Sequence, residues 1–587
     1  MSWDTRFECL SSEASSRSQI RNRRLESHRL ISLHRFGCLL LAGSIAVTGC
    51  GASDSSPSDT NAAASTSAPP AALRVERLAL ATLEDKIRGG WAGQMIGVSY
   101  GAPTEFRYLS RVIPEDELPV WTPDRVLNSI NQDDLYVDMT FFAVLDKQGW
   151  DATTDDFGAA FRDSKYSLWH ANYAARRALQ RGVPATDSGT PAVNPHVNDI
   201  DFQIEADFVG LLSPGMPQTT VDLAQRVGRV MNGGDGILGG VFVGGLYSAA
   251  FFEDDPRKIV EAGLALLPGQ SFYARIITDT LRWAAENPDD WLVSWQLIED
   301  KYGSRDVCPQ GAGVPFNIDA HLNGAYIALG LLYGQGDFEK TLKISTRAGQ
   351  DSDCNPASAA GVLGVVLGYE RIPQKYKSGI ADIAQEKFAF TDYSFEDIVS
   401  RNLAKAIEAV VRNGGTLSDG TIEVPIQPPL QAEVDLFDDY GQVKERIKPD
   451  DPRVQLTGDW TINSIAPSRN FKWVFADADE AGAEMEVEFT GTGVILTAAH
   501  RPDGGTLEVW FDGESQGVWD TFSEEDPANS WSTKLDEAVW HRFGLDPGTH
   551  TLRVRVLGEP YTRDDVTSGG SRVSLQDVVV FHHDSAQ

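Results

Sequence analysis

Cysteine is scarce in this chain of 587 residues, which has five. Only Cys50, Cys308 and Cys354 lie beyond the first 49 residues, so Cys308 with Cys354 is the pair left if Cys50 is otherwise engaged. No spacing demands that bridge, and two free thiols are equally compatible with it. Positive charge is also in deficit, with 51 Lys and Arg against 84 Asp and Glu and a net charge of -33. That field repels polyphosphate, which argues against nucleic acid as a partner and favours a neutral or cationic ligand. No protein partner is indicated. Beyond residue 49 there is no apolar run long enough to span a bilayer. What is present is ordinary globular composition, 42% apolar and 23% charged, in a chain long enough for two folded domains.

Arg21, Arg23, Arg24, Arg29 and Arg35 precede an apolar run from Phe36 to Val47, which ends at Thr48-Gly49-Cys50. This is the layout of an export signal over residues 1–49, and its end resembles a bacterial lipobox, which implies cleavage before Cys50 and lipidation of its thiol. The alternative is a plain secretory signal with a chance cysteine. Residues 50–78 begin with a Ser/Ala/Pro-rich stretch without aromatics, the composition of a flexible tether. The expected location is thus the cell envelope, with the body of the protein held to membrane by lipid.

From residue 79 to 413 apolar residues recur at helical spacing, and a helix is expected to open at Thr82. The periodic segments include Leu135 to Leu145, Ile237 to Phe252, Ala320 to Leu332 and Ala357 to Leu367, several rich in Gly and Ala. Small residues let helices approach closely, so this region reads as an all-α main domain. Residues 414–452 carry dense Gly, Pro and Asp and read as a linker. Residues 453–587 alternate apolar and polar residues between turns such as Asp512-Gly513 and Asp546-Pro547-Gly548, the pattern of a β-sandwich. The run LDPGTHTLRVRVLG resembles a jelly-roll module of the kind appended to glycosidases. Glycan adhesion rather than chemistry is expected of it, and removing it should leave turnover of a small glycoside nearly intact.

Two acidic clusters interrupt apolar sequence: Gln132-Asp133-Asp134 with Asp138, and Gln350-Asp351-Ser352-Asp353-Cys354-Asn355-Pro356. Helical spacing puts Asp134 and Asp138 on one face. Like charges near a core are costly unless they are neutralised. Two carboxylate pairs brought together would hold a hard cation, Mg²⁺, Mn²⁺ or Ca²⁺, far better than Zn²⁺. Pro356 suits the first helical position and Asn355 the N-cap, which puts Asp351 and Asp353 in the loop feeding a helix start. The alternative is that Asp133, Asp134, Asp351 and Asp353 are ordinary solvated caps.

The segment from Lys86 to Phe106 (KIRGGWAGQMIGVSYGAPTEF), then Asp133-Asp134, then Ala348 to Gly361 (AGQDSDCNPASAAG) resemble, in that order, the motifs of the ADP-ribosylglycohydrolase family. The resemblance implies an all-α fold with one or two Mg²⁺ or Mn²⁺ ions, cleaving at the anomeric carbon of a ribofuranose. It places Asp133, Asp134, Asp351 and Asp353 at the metal motifs and Glu105 at the acidic position closing the first motif. Glu105 and Asp134 become the catalytic acid or base candidates. Where the family usually has Thr before the Asp pair and Thr or Ser after the second motif, this chain has Gln132 and Cys354, candidate additional ligands. Further candidates for substrate contact are Asp201 and Glu205, expected to stack at i, i+4, together with Asn232, Asp235 and Asn355. Acidic surroundings favour a neutral glycan or glycoside. The competing readings are hydrolysis of an ADP-ribosyl group and a non-catalytic glycan-binding lipoprotein that keeps the fold.

Overall fold

The computed structural model describes residues 74–583, apart from 438–439, 469–470, 526 and 528–531. The expected signal, the lipidation site Cys50 and most of the expected tether lie outside the described residues. No described helix is long and apolar enough to cross a membrane.

The helical part is built where the periodicity places it, from Leu80–Gly101 to Phe395–Arg412. Several helices start where a side chain satisfies an early amide. Thr153 with Asp156 and Ser394 with Asp397 form capping boxes, and Asp255, Ser271, Asp290 and Asp337 cap their helices singly. The first helix departs from expectation: it opens at Leu80 rather than Thr82, and Ala79 at its N-cap makes no side-chain bond. Gly234–Ala250, Ala320–Gly334 and Cys354–Leu367 are buried on nearly all sides, which makes them the centre of the domain.

Leu80–Gly101 lies against Cys354–Leu367 along Gly89, Gly93, Gly97 and Gly101, spaced four apart on one helix face. A methyl group at Gly93 would sit 2.1 Å from the Ala360 carbonyl oxygen, and one at Gly97 would sit 2.2 Å from that of Pro356. The two helices therefore meet backbone to backbone, and this contact sets the distance between the first and third motifs.

The presumed linker is structured. Thr416–Ser418 and Thr421–Pro425 form an antiparallel sheet with Val75–Ala79, tying the two ends of the helical part together. Gln442–Ile447 joins the β part through Val573–His582. The tether is likewise shorter than expected, since residues 75–78 belong to a strand.

The β part is an antiparallel sheet ordered Glu514–Asp520, Gly505–Phe511, Lys534–Pro560, Glu484–His500, Val573–His582, Phe471–Ala478, Thr461–Ser468. Gln455–Thr457 adds a branch on Glu484–His500. The long strands Glu484–His500 and Lys534–Pro560 pair through several register shifts. Such bulges bend strands, and here they accompany a sheet that branches around a core including Val487, Leu496, Val509, Leu552 and Leu575.

The two parts pack as one unit from Leu73 onward. Asp520, almost fully buried, accepts from Arg177 at 2.8 Å and also pairs with Arg181. Arg446 donates to the carbonyls of Pro309 at 2.7 Å and Ala312 at 3.1 Å. His541 Nε2 lies 2.7 Å from the carbonyl of Pro191. Ala312 packs among Ile495, Val579 and Phe581. Removing the β part would therefore strip a buried polar and apolar face from the helical part.

Candidate metal centre and active site

The chain positions the acidic clusters through backbone first. Phe106 donates its amide to the Gln350 carbonyl at 3.1 Å, and Gln350 donates back to the Tyr108 carbonyl at 3.1 Å. Thr104 Oγ1 and Ser352 Oγ lie 2.9 Å apart. These bonds fasten the turn carrying Glu105 to the turn carrying Asp351 and Asp353. Phe106 and Gln350 both hold left-handed φ angles, 49° and 52°. That conformation is uncommon for such residues and marks turns held in place by their surroundings.

Asp133 and Asp134 open the helix Asp133–Gln148, with Gln132 as its N-cap. The Gln132 side chain makes no capping bond, and its main-chain carbonyl accepts from the Leu135 and Tyr136 amides. Across the gap, Cys354 Sγ lies 3.5 Å from Asp134 Oδ2 and 3.8 Å from Asp353 Oδ1. Ligand atoms of Asp351, Asp353 and Cys354 all fall within 4.8 Å of one another. The two distant aspartate motifs thus converge. Asp353 caps the last central helix and Cys354 begins it, so Asn355 and Pro356 lie inside the first turn rather than at the cap and first position expected.

Crowding dominates the electrostatics. Burial, then Asp133, Asp353 and Asp207, push the Asp134 carboxyl well above the carboxylate range. Asp351 is pushed up to about 8 by burial, with Glu105 and Asp134 adding to the effect. Asp353 is raised by burial and Asp351, and Asp133 by burial. Glu105 keeps a solvent-exposed edge, yet the dense protein around it, with Asp353 and Asp133, also raises it well above the usual value. Behind this group Asp138, raised by burial and by Asp207, accepts from Gln94 Nε2 at 3.2 Å.

These residues fit a hard dication. Asp134 Oδ1 and Asp351 Oδ1 are buried and have no hydrogen-bond partner among the described residues. Buried polar atoms are rarely left so. The donors are mainly carboxylate oxygens, the ligand type of Mg²⁺ and Mn²⁺, and a bound cation would reverse the upward pKa shifts. The Cys354 thiol is the softer exception.

The other expected contact residues each make a hydrogen bond that holds the local structure. Asp201 accepts from the amides of Ala171 at 3.2 Å and Asn172 at 3.0 Å, capping the helix His170–Gln180. The i, i+4 stack with Glu205 does not form, because the helix Asp201–Ile204 ends before Glu205. Glu205 is buried, accepts from Asn172, and has one oxygen without a partner among the described residues. Asn232 donates to the Val197 and Asp199 carbonyls at 2.9 Å each and accepts from the Phe202 amide at 3.0 Å. Asp235 accepts from the Tyr273 amide at 3.2 Å at the start of the helix Phe272–Glu286. Asn355 donates to Asn323 Oδ1 at 2.9 Å. Asp201 and Asn232 therefore hold loops, whereas Asp235 Oδ1 and Asn355 Oδ1, like Glu205 Oε2, are buried with no hydrogen-bond partner among the described residues. Cys308 and Cys354 are free thiols, and both pack in the apolar group of Ile200, Ile204 and Ile318.

Gln350 and Asp207 were missed by motif reasoning. Gln350 Oε1 accepts from the Asn317 amide at 3.1 Å, and its Nε2 donates to the Pro315 carbonyl at 3.0 Å, so one side chain grips the loop before Ala320–Gly334 at two points. Asp207, raised to about 7 by burial, accepts from Ser358 at 3.4 Å. Its only signal in sequence is an acid between Ala206 and Phe208.

The family model described as ADP-ribosylglycohydrolase matches residues 79–413. The chain belongs to this family. Among solved structures, an "ADP-ribosylglycohydrolase-related protein complex" is 16% identical, with a TM-score of 0.38, covering 56% of this chain and 99% of that one. A Paenibacillus sp. cycloisomaltooligosaccharide glucanotransferase complexed with cycloisomaltoheptaose is 17% identical, with a TM-score of 0.17, over 23% of this chain and 18% of that one. A two-domain esterase active on acetylated mannans, co-crystallized with mannopentaose, is 13% identical with a TM-score of 0.19, over 32% and 47%. Among curated proteins none matches. In this ADP-ribosylglycohydrolase-family chain the matched span ends just before the strands Thr416–Ser418 and Thr421–Pro425 that close the helical part.

Proposed function

We propose that this protein is a metal-dependent hydrolase that cleaves a glycosidic bond at the anomeric carbon of a neutral sugar, at the outer face of the cell envelope. The convergence of Asp134 and Asp351, each with a buried oxygen lacking a hydrogen-bond partner among the described residues, carries this reading. Asp133, Asp134, Asp351 and Asp353 would hold Mg²⁺ or Mn²⁺, with the Gln132 side-chain oxygen and Cys354 at the margin. A dication there would supply positive charge to orient sugar hydroxyls and water beside the scissile bond.

Glu105 is the proton carrier in this scheme. Its exposed edge can meet substrate, while the enclosed Asp134 faces Cys354. The raised pKa favours the protonated carboxyl, which can give its proton to the leaving oxygen and, once ionised, take one from water. The surrounding carboxylates favour the positive charge that develops on the ring in an oxocarbenium-like transition state. The crowding of acids disfavours a pyrophosphate, which supports a neutral glycoside over an ADP-ribosyl group. The basic, apolar and Cys-ended leader supports export and lipid anchoring through Cys50.

The test is a panel of pyranosides and furanosides, with ADP-ribosylated peptides as the competing substrate, each run with Mg²⁺, Mn²⁺ or EDTA. Turnover of a glycoside that EDTA abolishes and Asp351→Asn lowers at least a hundredfold is the expected result. Release of ADP-ribose with all glycosides inert would replace the substrate assignment, and turnover indifferent to EDTA and to Asp351→Asn would sink the metal reading.

A further inference from the structure

A second group of ligand-type side chains lies where the stretch 194–201 meets the helix His170–Gln180, and the scheme above does not use it. Ligand atoms of His170, His196 and Asp199 all fall within 4.8 Å of one another. His196 Nδ1 is 2.8 Å and His170 Nδ1 3.8 Å from Asp199 Oδ2. His196 and Asp199 are buried, and the His170 side chain is 16% exposed. His170 Nδ1 itself is buried, with no hydrogen-bond partner among the described residues. Its separation from Asp199 is too long for a hydrogen bond. Two donors at about 2.0–2.2 Å from one ion stand roughly 3–4 Å apart. His170 Nδ1 and Asp199 Oδ2 have that spacing, whereas His196 Nδ1 and Asp199 Oδ2 share a hydrogen bond that an ion would have to open.

The chemistry of the pocket agrees. Asp199 sits in low dielectric, and burial, with Asp306, Asp201 and Asp319, raises its pKa well above the carboxylate range. The adjoining imidazoles bring no compensating charge: burial drives His170 down to about 4 and lowers His196. Neutral imidazole is the form that binds metal. Asp306 and Cys308 also crowd Asp199, but both Asp306 oxygens are taken by the amides of Cys308 and Ile318, each at 2.8 Å. Asp306 is therefore a loop clamp. On the far side of the His196 ring, Nε2 faces Glu537 Oε2 at 4.0 Å. That gap is beyond a hydrogen bond, and closing it on metal binding would give His196 the carboxylate partner that a metal-binding imidazole usually has. Glu537 belongs to the strand Lys534–Pro560, so the support comes from the β part.

We propose that His170, His196 and Asp199 bind a first-row transition dication of the zinc type, in a site separate from the carboxylate centre and steadied by Glu537. Imidazole nitrogen selects zinc-like ions, whereas the four aspartates of the first centre select hard ones. Three protein donors leave a position for water. The ion would neutralise a buried carboxylate at the junction of the helical and β parts and so hold them together.

The test uses the full chain, stripped with chelator and dialysed against Zn²⁺ or Co²⁺ in excess Mg²⁺, followed by elemental analysis and visible absorption of the Co²⁺ form. Wild type should retain Zn²⁺ and show a Co²⁺ visible band. His170→Gln and His196→Gln should each weaken retention at least tenfold, while Asp351→Asn leaves it unchanged. Circular dichroism checks folding. Should His196→Gln fail to fold, His170→Gln, at a partly exposed position, decides alone. Equal Zn²⁺ in wild type and folded His170→Gln would overturn the proposal, as would a loss of Zn²⁺ confined to Asp351→Asn. A thiolate charge-transfer band that disappears in Cys308→Ser would overturn the ligand set.

Discussion

Cys354 concentrates the chemistry of the site at one atom. Its sulfur faces Asp134 and Asp353 where the family usually places a hydroxyl, and burial together with those carboxylates keeps the thiol protonated. A protonated thiol is a poor partner for Mg²⁺. Cys354→Ser should therefore tighten Mg²⁺ binding severalfold by calorimetry, and an unchanged or weaker affinity would remove Cys354 from the ligand neighbourhood. Glu105→Gln keeps shape and hydrogen bonding but cannot move a proton. Its kcat on a glycoside should fall by about 10² to 10⁴ with KM little changed. A loss confined to KM would make Glu105 a binding residue.

At the scale of elements, the contact between Leu80–Gly101 and Cys354–Leu367 decides where the acids meet. Gly97 has no room for a methyl group against the Pro356 carbonyl, and the obstacle is backbone, which cannot rotate aside. Gly97→Ala should cost about 1–3 kcal/mol in urea unfolding. It should also weaken Mg²⁺ binding, because separating the helices pulls Asp353 away from Asp134. Stability within a few tenths of wild type would show that the helices can slide. The helix period was legible in apolar spacing, and so were the small residues. The register of one helix on the other was not, because it depends on which carbonyl each glycine meets.

For the whole molecule, the junction of the helical and β parts is the structural surprise. Asp520 is almost fully buried between Arg177 and Arg181, and those guanidinium groups overcome desolvation and hold its carboxyl well below the usual range. A depressed folded-state pKa gives stability that is present above the unfolded value of about 3.9 and is lost as pH falls through the folded one. Asp520→Asn should thus cost about 3–5 kcal/mol near neutrality, as expected when one partner of a buried pair is removed. The gap in urea midpoint between variant and wild type should narrow below about pH 4. A gap that is absent at pH 7, or constant down to pH 3, would remove this ion pair from the junction.

The order of motifs, the change from helical to alternating periodicity near residue 450, and the presence of two aspartate clusters of the type that suits a hard cation follow from the sequence itself, because periodicity and carboxylate chemistry are local properties. Glu205, Asn232 and Asp235 show the opposite case. Their residue types suggested substrate contact, and what they do depends on which amide or amide side chain the folded chain presents: Asn172 for Glu205, Phe202 for Asn232 and Tyr273 for Asp235. The meeting of His170, His196 and Asp199, and the docking of Asp520 against Arg177, belong to tertiary structure for the same reason. A buried charge or imidazole takes its role from neighbours beyond any local window, 33 residues away for Asn172 and Glu205 and 343 for Arg177 and Asp520, and no local pattern in the chain specifies them.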